Sequence, residues 1–331
     1  MKALVTGGGG FLGSAIVRQL RMRGDQVVSY SRGEHAESAK LGATHRRGDL
    51  SDLNALLEAA RGCDVVFHVA AKAGVWGSLD DYYQANVLGT ENVIAACRFH
   101  SIPRLVYTGS PSVVFDGSDV EGGDESLPYP CHFKAHYPRT KALGEQAVLA
   151  ANGSSLATVS LRPHLIWGPG DNHLVPRIVA KARAGKLRRI GRRPCLVDTV
   201  YVENAAEAHL NAADRLALGS APAGKAYFIS NGEPLPVWEM VNRILAAAGL
   251  PPEERSVSPA LAYAAGSLCE AIWKLLQLSG EPPMTRFVAR ELATAHWFDI
   301  SAAGRDLGYQ PRISIDQGLV QLREWFEKGA R

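Results

Sequence analysis

Thr6 to Gly13 reads TGGGGFLG, and its neighbours give it meaning. The short apolar run KALVTG leads into it, and FLGSAIVRQLRMRG follows with apolar residues at helical spacing. Glycines between a strand and a helix let the backbone approach phosphate closely, and the helix N-terminus offers N–H groups and a positive dipole end. Gly7, Gly10 and Gly13 fit G-x-x-G-x-x-G, whereas Gly8, Gly10 and Gly13 fit G-x-G-x-x-G, so spacing leaves the register open. In either register the turn, with Phe11 and Leu12 opening the helix, suits the pyrophosphate of a dinucleotide.

The rhythm continues beyond the turn. QVVSYS, DVVFHVAA, RLVYTGS and LATVSLRP are near-continuous apolar runs, as expected of strands covered on both faces. DLNALLEAARG and NVLGTENVIAACRFH between them carry helical patterns. Repeated βα units predict an α/β fold of Rossmann type, a doubly wound parallel sheet. After about Pro163 the rhythm loosens into the helices LVPRIVAKARAGK and VWEMVNRILAAAG and a lone strand, KAYFIS. We therefore expect a dinucleotide-binding domain over residues 1–165 and a smaller, interleaved substrate lobe over 166–331.

Composition narrows the class. The 331 residues are 46% hydrophobic and 21% charged, with a net charge of +3, too small to argue for nucleic acid. Five cysteines without a CxxC pair fit a reducing cytosol and argue against a disulfide framework or a zinc site, and no metal is expected. MKALVTGGGG turns glycine-rich too early for a signal peptide, and no run of about 20 apolar residues suggests a spanning helix. A cytoplasmic protein is the expectation.

Two further segments carry chemistry. In HYPRTKALGEQAVLAAN, Tyr137 and Lys141 are four apart, and Pro138 suits the first turn of a helix that would place both on one face. A free tyrosine titrates near ~10. A lysine cation held close would bring it toward the working range for acid-base catalysis. LVYTGSPSV ends a strand in hydroxyls, so Ser110 is expected in the crevice at the strands' carboxyl ends. Finally, VVSYSRGE places Ser31 and Arg32 where NAD-binding domains carry an acid for the ribose hydroxyls. Loss of that carboxylate, with a guanidinium beside it, favours a 2′-phosphate, hence NADP(H) over NAD(H).

In this order and spacing, TGGGGFLG, the Ser110 strand and YPRTK resemble the extended short-chain dehydrogenase/reductase family. HVAAKAGVWGS, YYQANVLGTENVIAACR, LRPHLIWGPGD, VDTVYVENAAEAH, ISNGEPLP and LGYQPRISIDQGL narrow the resemblance to its 3β-hydroxysteroid dehydrogenase branch. Within that branch AAKAGVWGS is most similar to bacterial reductases of 2-alkyl-3-oxoalkanoates in long-chain olefin biosynthesis. RPHLIWGPGDNHLVP and SVVFDG also resemble sterol-4α-carboxylate 3-dehydrogenases. The resemblance implies Tyr137 as the acid, Lys141 as its partner and ribose ligand, and Ser110 as the group that orients the carbonyl. It implies Asp49 and Leu50 beside the adenine, Ala70, Ala71 and Lys72 beside the cofactor's middle, and Pro163, Leu165 and Ile166 beside the nicotinamide. Asn86 is expected to be structural. Gly109 departs from the pattern, since a second hydroxyl residue is usual there; Ser112 is the spare. A homodimer pairing the helix around Val87–Phe99 with the one after Tyr137 is also implied.

The substrate expected on this basis is a long apolar keto acid, with a 3β-hydroxysteroid or sterol carboxylate as the alternative. A non-catalytic, cofactor-binding regulator is a rival that an intact Ser110, Tyr137 and Lys141 argue against. Arg192 and Arg193, in KLRRIGRRP, read as a solvated loop or as a contact for a carboxylate or an acidic partner; Trp76 reads as channel wall or packing. His68 and His164 are expected near the cofactor. Pro259–Gly280 reads first as a buried helix with Glu270 and Lys274 paired. Its other reading is an apolar lid or a peripheral contact with a membrane or pathway enzyme.

Overall fold

The structure, a computed structural model, describes residues 1–33 and 40–329. Seven strands form its main sheet: β1 (Lys2–Thr6), β2 (Gln26–Ser31), β3 (Thr44–Arg47), β4 (Val65–His68), β5 (Arg104–Thr108), β6 (Ala157–Pro163) and β7 (Lys225–Ile229). Their spatial order is β7-β6-β5-β4-β1-β2-β3, and every pairing is parallel. The order reverses between β1 and β4, so a ligand crevice is expected at the carboxyl ends there.

Helices α1 (Phe11–Met22), α2 (Leu53–Ala60), α3 (Gly89–Phe99) and α4 (His136–Ala150) alternate with the strands. The later helices are α5 (Leu174–Arg183), α6 (Val202–Arg215), α7 (Val237–Ala247), α8 (Pro259–Leu275), α9 (Arg286–Glu291) and α10 (Ile315–Glu327). Alternate strand residues feed opposite cores. Ala3, Val5 and Phe67 pack with Ile16 and Leu20 of α1 and Ala205 and Ala212 of α6. Leu4, Val66 and Leu105 pack with Leu56 of α2, Val93 of α3 and Val148 of α4. Both faces are covered, which explains the unbroken apolar runs of the central strands.

The second half of the chain returns to this body. KAYFIS is not a lone strand of the substrate lobe but β7, paired along its length with β6, and α6 lies against α1. The second lobe is built on a four-stranded sheet ordered Leu235–Pro236, Leu196–Val197, His296–Phe298, Val120–Gly123, with α5, α7 and α10 in one apolar cluster.

The buried-helix reading of 259–280 is overturned. The helix ends at Leu275, and only Ala262 and Gly266 on it are buried. A Cβ on Gly266 would stand 2.7 Å from the carbonyl carbon of Thr285, so the inner face is the small-residue side, held close to the start of α9. Leu261, Leu268 and Leu276 are exposed, and Leu275 is 83% exposed. Glu270 pairs with Arg286 at 2.7 Å and not with Lys274. Among the described residues no helix is long and apolar enough to cross a membrane.

Candidate active site

A cavity of about 1180 Å³ runs along the carboxyl ends of the strands. Pockets that hold one drug-sized ligand measure roughly 300–1,000 Å³, and this one is larger, consistent with a dinucleotide and a second molecule. Gly7, Gly10, Phe11, Leu12 and Gly13 line one end. The Gly10 N–H donates to the Gly7 carbonyl at 2.8 Å, and a Cβ on Gly13 would sit 2.1 Å from that same oxygen. The turn therefore closes on Gly7, Gly10 and Gly13. The α1 N-terminus has no side-chain cap and no acid in its first turn, leaving its N–H groups and dipole available to a phosphate. These residues fit a dinucleotide.

The other expected contacts line the same cavity: Ser31 and Arg32 after β2, Asp49 and Leu50 after β3, Ala70, Ala71 and Lys72 after β4, and Pro163, Leu165 and Ile166 at and after β6. Ser31 Oγ donates to the Gly33 carbonyl at 3.2 Å, and Arg32 reaches within 3.9 Å of the Asp49 carboxylate while staying 83% exposed. Leu165 holds φ 45°, a left-handed conformation rarely adopted by a side-chain-bearing residue and often found at functional sites.

Under the 70–72 segment runs a buried chain of hydrogen bonds. Thr90 Oγ1 donates to the Asn86 carbonyl and so accepts from His68 Nε2; His68 Nδ1 then accepts from Thr6 Oγ1, which accepts from the Ala70 N–H. His68 is thus a neutral strut, its pKa pushed down to about 3 by burial and then by Lys141. It does not line the cavity. Asn86 accepts from the Lys72 N–H, and its amide donates to the Lys72 carbonyl and to Thr140 on α4. Its role is structural, as expected.

Tyr137 and Lys141 lie four apart on α4 and both line the cavity, as do Ser110 and Ser112. Ser110 lies near enough to the Tyr137 hydroxyl to lower its pKa, and Ser112 stands behind it, Oγ to Oγ 2.8 Å. Glycine at 109 has a steric reason: a Cβ there would lie 2.7 Å from both Glu145 Oε2 and Ser160 Oγ. Lys141 Nζ donates to the Thr108 carbonyl at 2.7 Å and sits 4.2 Å from the Tyr107 ring centre. Burial lowers its pKa to about 7, opposed by Glu145 one turn further on. Its Nζ is turned to the Thr108 carbonyl, and other groups set the tyrosine's pKa here. Burial raises Tyr137, Ser110 opposes it, and the nearby charge of Glu291 raises it further.

Beyond Tyr137 the cavity continues into the second lobe, walled by Val114, Phe115, Leu174, Phe287 and Phe298, with His164, Glu291 and His296 among them. Apart from His164 and Leu165, this arm was not found from sequence, because its residues lie far apart and carry no local motif. Trp76 does not line the cavity; its carbonyl accepts from the Tyr82 hydroxyl. Arg193 pairs with Asp119 at 2.6 Å, and neither it nor Arg192 lines this cavity. Among the described residues no three His, Cys, Asp or Glu side chains are grouped to hold a metal.

A doubly wound sheet whose carboxyl-edge crevice joins an uncapped glycine turn to a serine, a tyrosine and a lysine defines an oxidoreductase of the extended short-chain dehydrogenase/reductase class. Residues 4–259 match the 3-beta hydroxysteroid dehydrogenase/isomerase family, and the chain belongs to it. It is 55% identical over 325 residues to a 2-alkyl-3-oxoalkanoate reductase of Stenotrophomonas maltophilia, covering 98% of both chains. It is 34% identical over 332 residues to a decarboxylating sterol-4-alpha-carboxylate 3-dehydrogenase of Mus musculus, covering 98% of this chain and 91% of that one. Among solved structures it is similar to the UDP-glucose 4-epimerase of Thermus thermophilus in complex with NAD, at 26% identity and a TM-score of 0.74 over the whole of both chains.

Proposed function

We propose that the protein reduces the 3-keto group of a long-chain 2-alkyl-3-oxoalkanoic acid to the 3-hydroxy acid with NADPH, as a step in long-chain olefin biosynthesis. The observation that carries this reading is the junction at Tyr137, where the crevice of the glycine turn meets an arm walled by Phe115, Phe287 and Phe298. The 55% identity to a reductase of that name supports it.

A bound nicotinamide dinucleotide supplies the hydride. Tyr137 donates its hydroxyl proton to the keto oxygen, and Ser110 donates a hydrogen bond that stabilises negative charge developing there. Lys141, as the cation, turns from the Thr108 carbonyl to stabilise the phenolate left behind. The missing carboxylate at Ser31 and the exposed Arg32 guanidinium support NADPH over NADH. The relative named for a sterol-4-alpha-carboxylate favours a second reading, dehydrogenation of such a sterol. In both substrates a carboxylate stands on the carbon next to the reacting one.

The outward leucines of α8 support peripheral contact with a membrane that delivers the substrate, and the family supports a homodimer. The deciding experiment follows NADPH absorbance with a racemic long-chain 2-alkyl-3-keto acid, in parallel with a 3-ketosteroid and with NADH. Turnover of the keto acid with NADPH is expected; turnover of the steroid alone would overturn the reading.

A further inference from the structure

Glu291 stands in the substrate arm without an assigned purpose. It is the last residue of α9, one turn after Phe287, and both side chains line the cavity. None of the described residues hydrogen-bonds or forms an ion pair with its carboxyl oxygens. His296 Nε2 contacts only its backbone carbonyl, at 3.0 Å. Tyr137 lines the same cavity, so Glu291 borders the space where a ketone would react.

A half-buried carboxylate with no partner is costly to desolvate, and such a group responds by keeping its proton. Burial alone raises the Glu291 carboxyl to about 7. The titratable groups that share this side of the cavity are Tyr137 on α4, His164 beyond β6, His296 on the strand His296–Phe298, and Asp171 and His173 before α5. Burial lowers His164 and His296, so neither presents a cation at neutral pH. On the helices behind, Glu270 is held by Arg286, and Tyr263 lies under the Arg290 guanidinium.

The cavity's lysines and arginines are Arg32, Lys72 and Lys141. Arg32 is at the far end, Lys72 pairs with Asp81 at 2.9 Å, and Lys141 bonds the Thr108 carbonyl. A substrate carboxylate next to the ketone therefore finds no unengaged lysine or arginine beside it once the keto oxygen is on Tyr137 and Ser110. It needs a donor that carries no negative charge.

We propose that Glu291, as a neutral acid, donates its O–H to the substrate's carboxylate and so selects 3-oxo acids over ketones that lack one. This rests on the proposed function and deepens it. The proton lies between two carboxyl oxygens, a short and strong charge-assisted bond. Once Glu291 ionises, the same geometry repels the substrate.

The test measures KM and kcat with NADPH between pH 5.5 and 8.5 for a long-chain 2-alkyl-3-keto acid and for its methyl ester. For the wild type, KM of the acid should rise above about pH 7, approaching about tenfold per pH unit, while KM of the ester stays flat. Glu291→Gln, whose amide N–H donates at every pH, should keep the low-pH KM for the acid and lose the pH dependence. Glu291→Ala should raise KM for the acid at least tenfold at pH 6 and change KM for the ester far less. A Glu291→Gln variant with the wild-type pH profile would overturn the proposal. So would a Glu291→Ala variant that loses kcat equally on acid and ester, since that pattern marks a proton relay to Tyr137. A wild type that reduces neither compound refutes the functional reading and removes the inference with it. A wild type that reduces the acid with a pH-independent KM refutes the inference alone.

Discussion

Changing Glu145 to glutamine should expose how the structure beneath Lys141 is held. Glu145 is fully buried and accepts from Arg162 Nη2 at 2.6 Å and Nε at 3.1 Å, from Ser160 Oγ at 2.6 Å and from Tyr129 Oη at 2.7 Å. Glutamine keeps the shape but turns one acceptor into a donor and leaves the Arg162 guanidinium, 4% exposed, without its counter-charge. Removing one partner of a buried pair costs about 3–5 kcal/mol. With a urea m-value of about 3 kcal/mol/M, the unfolding midpoint should fall by roughly 1–1.7 M. Adding Arg162→Met removes the orphaned charge, so the double variant should regain most of the loss. The charge of Glu145 also holds the Lys141 pKa up against burial. Without it the lysine titrates lower, and because activity needs the cation, the alkaline limb of the pH–rate profile should move to lower pH. The double variant should keep that shift while recovering stability. Urea unfolding followed by tryptophan fluorescence, with kcat/KM against pH, measures both effects. A single variant within about 1 kcal/mol of wild type, or a double variant no more stable than the single, would refute the account of the pair. An unmoved alkaline limb would refute its link to Lys141.

Tyr137→Phe should lower kcat by at least about 10²–10⁴-fold and leave NADPH affinity, read by fluorescence titration, near wild type. Ser31→Asp with Arg32→Ala removes a charge-assisted bond of about 1.5–3 kcal/mol, so the ratio of kcat/KM for NADPH to that for NADH should fall at least tenfold. Leu275→Glu with Leu276→Glu should fold normally, since both side chains are exposed, but lose binding to liposomes and raise KM for long-chain substrates. Sedimentation at micromolar concentration should show a dimer, and a monomer would count against pairing through α3 and α4.

What the sequence made legible was local. The glycine turn and the Tyr137–Lys141 spacing each declare themselves within eight residues, because a phosphate-binding turn and a helix face are short-range geometries. What it hid was long-range. KAYFIS reads as a strand, but nothing in six residues says that its partner is β6 rather than a neighbour in the second lobe. β3, sequence THRR, escaped notice because an edge strand with exposed charges lacks the apolar run that marks its neighbours. The stripe on α8 gave the right periodicity and the wrong burial, since a pattern identifies a face without saying what covers it. Glu291 and His296 join Tyr137 in one cavity only in three dimensions. The direction of Lys141, toward the Thr108 carbonyl, depends on a strand 33 residues earlier.

The return of the chain through α6 and β7 has a practical meaning for dissection and grafting. A fragment ending near residue 165 would leave the backbone edge of β6 bare, a template for aggregation. It would also strip α1 of the alanine-rich helix that covers it. No single cut frees either half, so the part that receives substrate cannot be exchanged between relatives as a cassette. New specificities have to arise within the arm itself, by replacement of residues such as Phe115, Phe287 or Glu291, with the frame left whole.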